Sequence, residues 1–168
     1  EEEVRKAIIH KMNWEQLGFV MVGDAENGQD ALEKLEQMEP DVVMTDIRMP
    51  YMDGLTLTGK IREKYPSVKI LIFSGYDDFE YAQRAIKLNA AEYILKPVNG
   101  EELAAILRRI KKNLDEEIEQ RRNINMLQER YLSSLPILRE LYLNDLVRMS
   151  ADVGTIVPKL REYGINIL

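Results

Sequence analysis

Residues 41–54 read Asp-Val-Val-Met-Thr-Asp-Ile-Arg-Met-Pro-Tyr-Met-Asp-Gly, and the fold builds outward from them. The run Val42-Val43-Met44 is apolar throughout rather than alternating, the pattern of a strand covered on both faces. Asp46 closes that run. Pro50 and Asp53-Gly54 then interrupt the chain, and helical spacing resumes at Leu55, Leu57 and Ile61, stopping before Pro66. The unit is strand, loop, helix.

Copies of this unit lie on both sides. Upstream, Phe19-Val20-Met21-Val22 predicts a strand, Asn27-Gly28 a turn, and Ala31, Leu32, Leu35 and Met38 a helix stopped by Pro40. Val4, Ile8, Ile9 and Met12 ahead of it predict an amphipathic helix, closing at Gly18 after Trp14 and Leu17. Downstream, Ile70-Leu71-Ile72-Phe73 predicts a strand, followed by a helix with Phe79, Tyr81, Ala82, Ala85, Ile86 and Leu88. Tyr93-Ile94-Leu95 is a last short strand leading into a helix near Glu101. Alternating strands and helices predict an α/β protein with a doubly wound parallel sheet. Its sites should lie beyond the carboxyl ends of the strands, at residues 23–26, 45–50, 74–78 and 96–98.

After Pro97 the character changes: residues 99–134 contain no proline and are rich in Glu, Lys, Arg and Gln, so one long helix is expected. Leu103, Leu107, Ile110 and Leu114 keep a four-three-four spacing that resumes at Ile124 and Tyr131, with Glu117, Arg121 and Gln128 interrupting. That is an imperfect heptad seam, compatible with a parallel coiled-coil dimer or with a solvated amphipathic helix. Pro136 is expected to break the run before an apolar helix with Leu138, Leu141, Leu143, Leu146 and Val147. A helical piece from Pro158 to Gly164 and a strand at Ile165-Asn166-Ile167 would close the chain. The division expected is an α/β domain over residues 1–112, a continuing helix over 113–134, and a truncated helical linker over 135–168. Glu1 at the start and the mostly apolar residues 165–168 at the end both read as cuts.

With 168 residues and 45% hydrophobic content, the chain can bury one ordinary core and carry a smaller appendage. A formal charge of -6 argues against a direct nucleic-acid surface. The absence of cysteine excludes disulfides and thiolate metal sites, and the single His10 excludes a histidine-based zinc site. No apolar run approaches the ~20 residues that span a bilayer, so no membrane contact and a cytoplasmic location are expected.

Three strand ends carry chemistry. Asp46 offers a carboxylate that can act as a nucleophile or simply cap the turn after it. Ser74 offers a hydroxyl donor, and Lys96 a point positive charge. A nucleophilic oxygen, a donor and a cation at one sheet mouth are the parts that bind a phosphoryl group. Asp77-Asp78 reads as the N-cap of the helix that follows, and Arg48 as a loop arginine or one that tunes water access to the phosphoryl group.

Residues 41–54, together with Phe73-Ser-Gly-Tyr76 and Tyr93-Ile-Leu-Lys-Pro97, resemble the receiver domain of two-component response regulators. The resemblance covers residues 1 to about 112. The stretch Ser74-Gly-Tyr-Asp-Asp-Phe-Glu-Tyr-Ala82 is similar to the AraC-type transcriptional regulators with long helical linkers. It implies a flavodoxin-like fold and a signalling switch rather than a turnover enzyme. Asp46 would take a phosphoryl group from a sensor histidine kinase, and Ser74 and Lys96 would hold its oxygens. It further implies a cis bond between Lys96 and Pro97, a switch role for Tyr93 beside the alternative of plain core packing, and a homodimer. The transcription-regulating output, DNA binding included, would come through a domain not in this sequence. Mg²⁺ is the implied cofactor, with the Asp46 carboxylate and the Arg48 carbonyl as two of its ligands.

One departure stands out. In the family a first strand ends in an acidic pair before the first helix, and this sequence begins after it. The family's sheet order puts that strand between those at Phe19 and Val42, so their inner backbone groups would lack partners. A record trimmed at its front, or a strand from another chain or from residues 164–168, would account for this. The departure supports a second reading, a pseudo-receiver that dimerises without accepting phosphate. A flavin carrier on the same fold is the third reading, opposed by the lack of a G-x-G-x-x-G loop.

Overall fold

The computed structural model describes residues 2–75 and 79–148 with positions 157 and 161. The predicted cap at Asp77-Asp78, the helical piece from Pro158 and the strand at 165–167 lie outside the described residues. Chain order is α1 (Glu2–Lys11), α2 (Gly28–Met38), β1 (Val42–Asp46), α3 (Gly54–Lys64), β2 (Lys69–Ser74), α4 (Phe79–Lys87), β3 (Glu92–Leu95) and α5 (Gly100–Arg148). The three strands form one parallel sheet in the order β1-β2-β3.

Period-two alternation sorts the strand residues onto two faces. Val43, Ile70, Ile72 and Tyr93 join Leu35, Leu55, Leu57, Ile61 and Ala85 in one core, supplied by α2, α3 and α4. Leu71, Phe73 and Ile94 join Leu17, Leu103, Leu107 and Ile110 in the other, with Ile8 of α1 and Met12 just beyond it against this core. Helices thus cover both faces, which is why the strand interiors, Val42–Met44, Ile70–Phe73 and Tyr93–Leu95, run apolar without alternation. This is the doubly wound, flavodoxin-like arrangement, with a long C-terminal helix.

Three local expectations are corrected. Phe19–Val22 forms no strand: Val20 is 85% exposed and Val22 52% exposed, and among the described residues β1 ladders with β2 alone. A ladder needs a neighbour about 4.8 Å away, and residues 19–22 have none among the described residues. Polar contacts hold the segment that follows: Arg5 Nη1 donates to the Ala25 carbonyl (2.6 Å) and Lys34 Nζ to the Asp24 carbonyl (2.8 Å). The Lys34 ammonium and the Glu26 amide both bond Asp30 and hold its carboxyl below the ordinary carboxylate range.

The first helix ends at Lys11 rather than running to Gly18. Asn13 accepts a bond from the Gln16 amide (3.2 Å), starting a separate turn that Gly18 closes with a φ of 76°. Pro136, finally, does not stop α5, which continues to Arg148. Proline removes only the one donor that would serve the Leu132 carbonyl, and in the turn ahead the Ser133 and Ser134 hydroxyls bond the Arg130 (2.9 Å) and Tyr131 (2.8 Å) carbonyls.

Two compact units divide the chain, residues 1–114 and 115–168. In the first, Leu103, Leu107 and Ile110 are 1–3% exposed and committed to the sheet. In the second, Ile124 and Tyr131 are 54% and 55% exposed. The seam that looks continuous in sequence therefore has two different environments.

Candidate functional site

Parallel register brings the three chemical residues to one edge of the sheet. Asp46 pairs with Phe73 and Ser74 pairs with Leu95, so Asp46, Ser74 and Lys96 sit at or one step past the ends of adjacent strands. Two amides continue the ladder beyond the strands: Ile47 N donates to the Phe73 carbonyl (3.0 Å) and Lys96 N to the Ser74 carbonyl (2.7 Å). Neighbouring strands lie about 4.8 Å apart, which sets the spacing of the three side chains.

The Lys96 ammonium forms an ion pair with Asp46 Oδ2. Both side chains are partly buried, with 21% of Lys96 and 18% of Asp46 exposed. Solvent therefore reaches the carboxylate, while the protein around it keeps the pair less screened than a surface bridge. Ser74 is 1% exposed. The peptide bond between Lys96 and Pro97 is cis.

The loop after Asp46 is tightly built. Gly54 N donates to the Ile47 carbonyl (2.8 Å), and Asp53 caps α3 by accepting from the Thr56 amide (2.7 Å). A Cβ on Gly54 would lie 2.0 Å from the Asp46 carbonyl oxygen, so the first turn of α3 rests directly on the backbone of the candidate acceptor. Thr45 Oγ1, also buried, donates to the Asp46 carbonyl (3.1 Å). Arg48 is exposed, and Tyr51 is 95% exposed at a φ of 66°. Tyr93 pairs with Ile72 and packs, partly buried, against the core that holds Ala85 and Ile72. Asn27 is the N-cap of α2, its side chain accepting from the Gln29 and Asp30 amides.

Sequence reasoning missed the role of Gly54. Its position straight after an Asp N-cap and straight before an apolar helix was the available signal.

The described residues do not by themselves make a Mg²⁺ site. Asp46 and the Arg48 carbonyl are two oxygen donors, but among the described residues no group of three or more carboxylate or imidazole side chains gathers. One Asp46 oxygen is also taken by Lys96. No helix among the described residues is long and apolar enough to cross a membrane.

Comparison with known proteins matches residues 1–108 to the response regulator receiver domain family. Over 99 residues the chain is 41% identical to the uncharacterized transcriptional regulatory protein YesN of Bacillus subtilis, covering 59% of this chain and 27% of that one. It is 32% identical over 151 residues to the transcriptional regulatory protein HptR of Staphylococcus aureus, covering 88% of this chain and 58% of HptR. Among solved structures it resembles the REC domain of AraT, a response regulator from Geobacillus stearothermophilus, at 38% identity and a TM-score of 0.66, over 70% of this chain and 91% of that one. A two component transcriptional regulator AraC from Clostridium phytofermentans is similar at 32% identity and a TM-score of 0.60, over 71% and 92%. The chain thus spans between about a quarter and three fifths of the length of these two curated regulators.

Proposed function

The chain belongs to the response regulator receiver domain family of two-component systems, and on that premise we propose that it is a phosphorylation-driven switch with Asp46 as acceptor. The observation that carries this reading is the Asp46–Lys96 ion pair beside Ser74 at three neighbouring strand ends. An Asp46 oxygen attacks the phosphorus of a sensor kinase's phosphohistidine. The O–P bond forms as the N–P bond breaks, leaving an acyl phosphate on Asp46 and a neutral imidazole on the kinase once it takes up a proton. Lys96 follows the new negative charge onto a phosphoryl oxygen, and the Ser74 hydroxyl donates to another.

Receiver domains are signalling domains, not turnover enzymes, and this one works by changing its own packing. A shift of Ser74 toward the phosphoryl group leaves room for Tyr93 to turn inward. That alters the surface of α4 and the start of α5, where Phe79 and Ile86 are 73% and 72% exposed and available to a second copy. The parent protein is read as a cytoplasmic, AraC-type transcriptional regulator whose DNA-binding domain lies outside this sequence. Residues 1–112 are its receiver, 113–134 a connecting helix and 135–168 a linker. Mg²⁺ would assist through Asp46 and the Arg48 carbonyl once further oxygen ligands are supplied. The second reading is a dimerising pseudo-receiver that accepts no phosphate.

Acetyl phosphate with Mg²⁺, followed by intact-mass measurement, separates the two. The expected result is a phosphoryl-sized gain in the wild-type chain and none in Asp46→Asn. A wild-type mass that stays unchanged overturns the switch and leaves the pseudo-receiver.

A further inference from the structure

Arg62, in the last turn of α3, makes four hydrogen bonds to two other parts of the fold, the turn before β2 and the segment directly after α4. Its Nη1 donates to the Pro66 (2.8 Å) and Val68 (2.7 Å) carbonyls, its Nη2 to the Asn89 carbonyl (2.6 Å) and its Nε to the Leu88 carbonyl (3.2 Å). All four acceptors are backbone oxygens. Partial burial lowers the guanidinium pKa from its ordinary value, and the group still stays charged at any working pH. Leu88 and Asn89 directly follow α4, so the cation sits at the negative end of that helix dipole.

The same end of α4 is tied down again by its own backbone. Asn89 is left-handed at a φ of 53°, its amide donates to the Ile86 carbonyl (2.9 Å), and the Ala90 amide donates to the Ala85 carbonyl (3.0 Å). Apolar anchoring of α4 is thin by comparison: Ala85 is its one buried residue, with Tyr81 and the adjoining Leu88 only partly covered. Those three residues face the core that also receives Tyr93. The position of α4 and the space open to Tyr93 are therefore linked.

From this arrangement we propose that Arg62 is a positioning residue that fixes the C-terminal end of α4, making the helix a lever held at one end and setting the resting state of the switch. The lever's role in signalling rests on the proposed function, whereas the clamp itself stands without it. A lysine cannot replace it fully, because one ammonium cannot reproduce the planar fork that serves four carbonyls.

Hydrogen exchange on the full chain tests this, with Arg62→Met and Arg62→Lys compared to wild type, each with and without acetyl phosphate and Mg²⁺. Without acetyl phosphate, amides of residues 81–88 should exchange at least about tenfold faster in Arg62→Met, the scale of losing a hydrogen bond to a charged group. Amides of residues 70–72 should follow only the global stability read from urea unfolding, and Arg62→Lys should restore α4 protection in part. Should Arg62→Met fail to fold, the lysine variant still reads the α4-specific change. With acetyl phosphate, the change seen at α4 in the wild type should largely vanish in Arg62→Met. Exchange at α4 that rises only in step with residues 70–72 overturns the clamp, and an undiminished phosphorylation-dependent change overturns the lever. A wild-type chain that gains no phosphoryl mass refutes the acceptor reading and with it the lever, while the arm without acetyl phosphate still decides the clamp.

Discussion

Alanine at position 54 should destabilise the chain by about 3 kcal/mol or more, one of the largest losses expected from adding a single carbon. The new Cβ would stand 2.0 Å from the Asp46 carbonyl oxygen and 2.9 Å from its carbonyl carbon. Both are backbone atoms of a strand end, so neither can swing aside as a flexible side chain would. Relief requires α3 to move away from β1, which would stretch the bond from Gly54 N to the Ile47 carbonyl and displace the Asp53 cap. The same change at Gly59, in the same helix, has the opposite sign. There the nearest atom to a new Cβ is Leu88 Cδ2 at 3.8 Å, an ordinary contact, and a helix-interior glycine replaced by alanine gains up to about 1 kcal/mol. Urea unfolding of both variants checks the pair. A Gly54→Ala midpoint equal to wild type would mean that α3 does not rest on the acceptor's backbone.

Leu107→Ala should cost about 2 to 5 kcal/mol, whereas Ile124→Ala should change stability by less than about 0.5 kcal/mol. Both residues belong to the same heptad spacing and to the same helix, so a reading of sequence alone treats them alike. Leu107 is 1% exposed in the core formed with Leu71, Phe73 and Ile94, and truncating it leaves a cavity. Ile124 is 54% exposed and loses little contact. Denaturation of the two variants at low protein concentration measures the difference directly. Equal losses would show that the helix beyond Leu114 is buried as deeply as the part before it. A dimer built along the later part would instead reveal itself as a concentration-dependent effect of Ile124→Ala.

The heptad pair shows how periodicity can mislead. A spacing of four, three and four reports that one helix face is apolar, but it does not say what covers that face. For Leu103, Leu107 and Ile110 the cover is the sheet of the same domain. Phe19–Val22 fails for a related reason. Four apolar residues in a row suggest a strand, yet a strand exists only where a neighbour accepts its hydrogen bonds, and β1 ladders with β2 alone among the described residues. Pro136 errs in the other direction, since one missing donor does not outweigh the turns on either side of it.

What local pattern could determine, it did: the strands at Val42, Ile70 and Tyr93, the helices between them, the parallel α/β class and the order in which Asp46, Ser74 and Lys96 end their strands. These follow from side-chain identity and its period, which a sequence writes down explicitly. The pressing of Gly54 against Asp46, the clamp of Arg62 on four carbonyls and the split environment of α5 were decided by the tertiary structure alone. Their partners are backbone atoms, identical in every residue, or distant surfaces brought close only by folding, and neither leaves a mark in the order of amino acids.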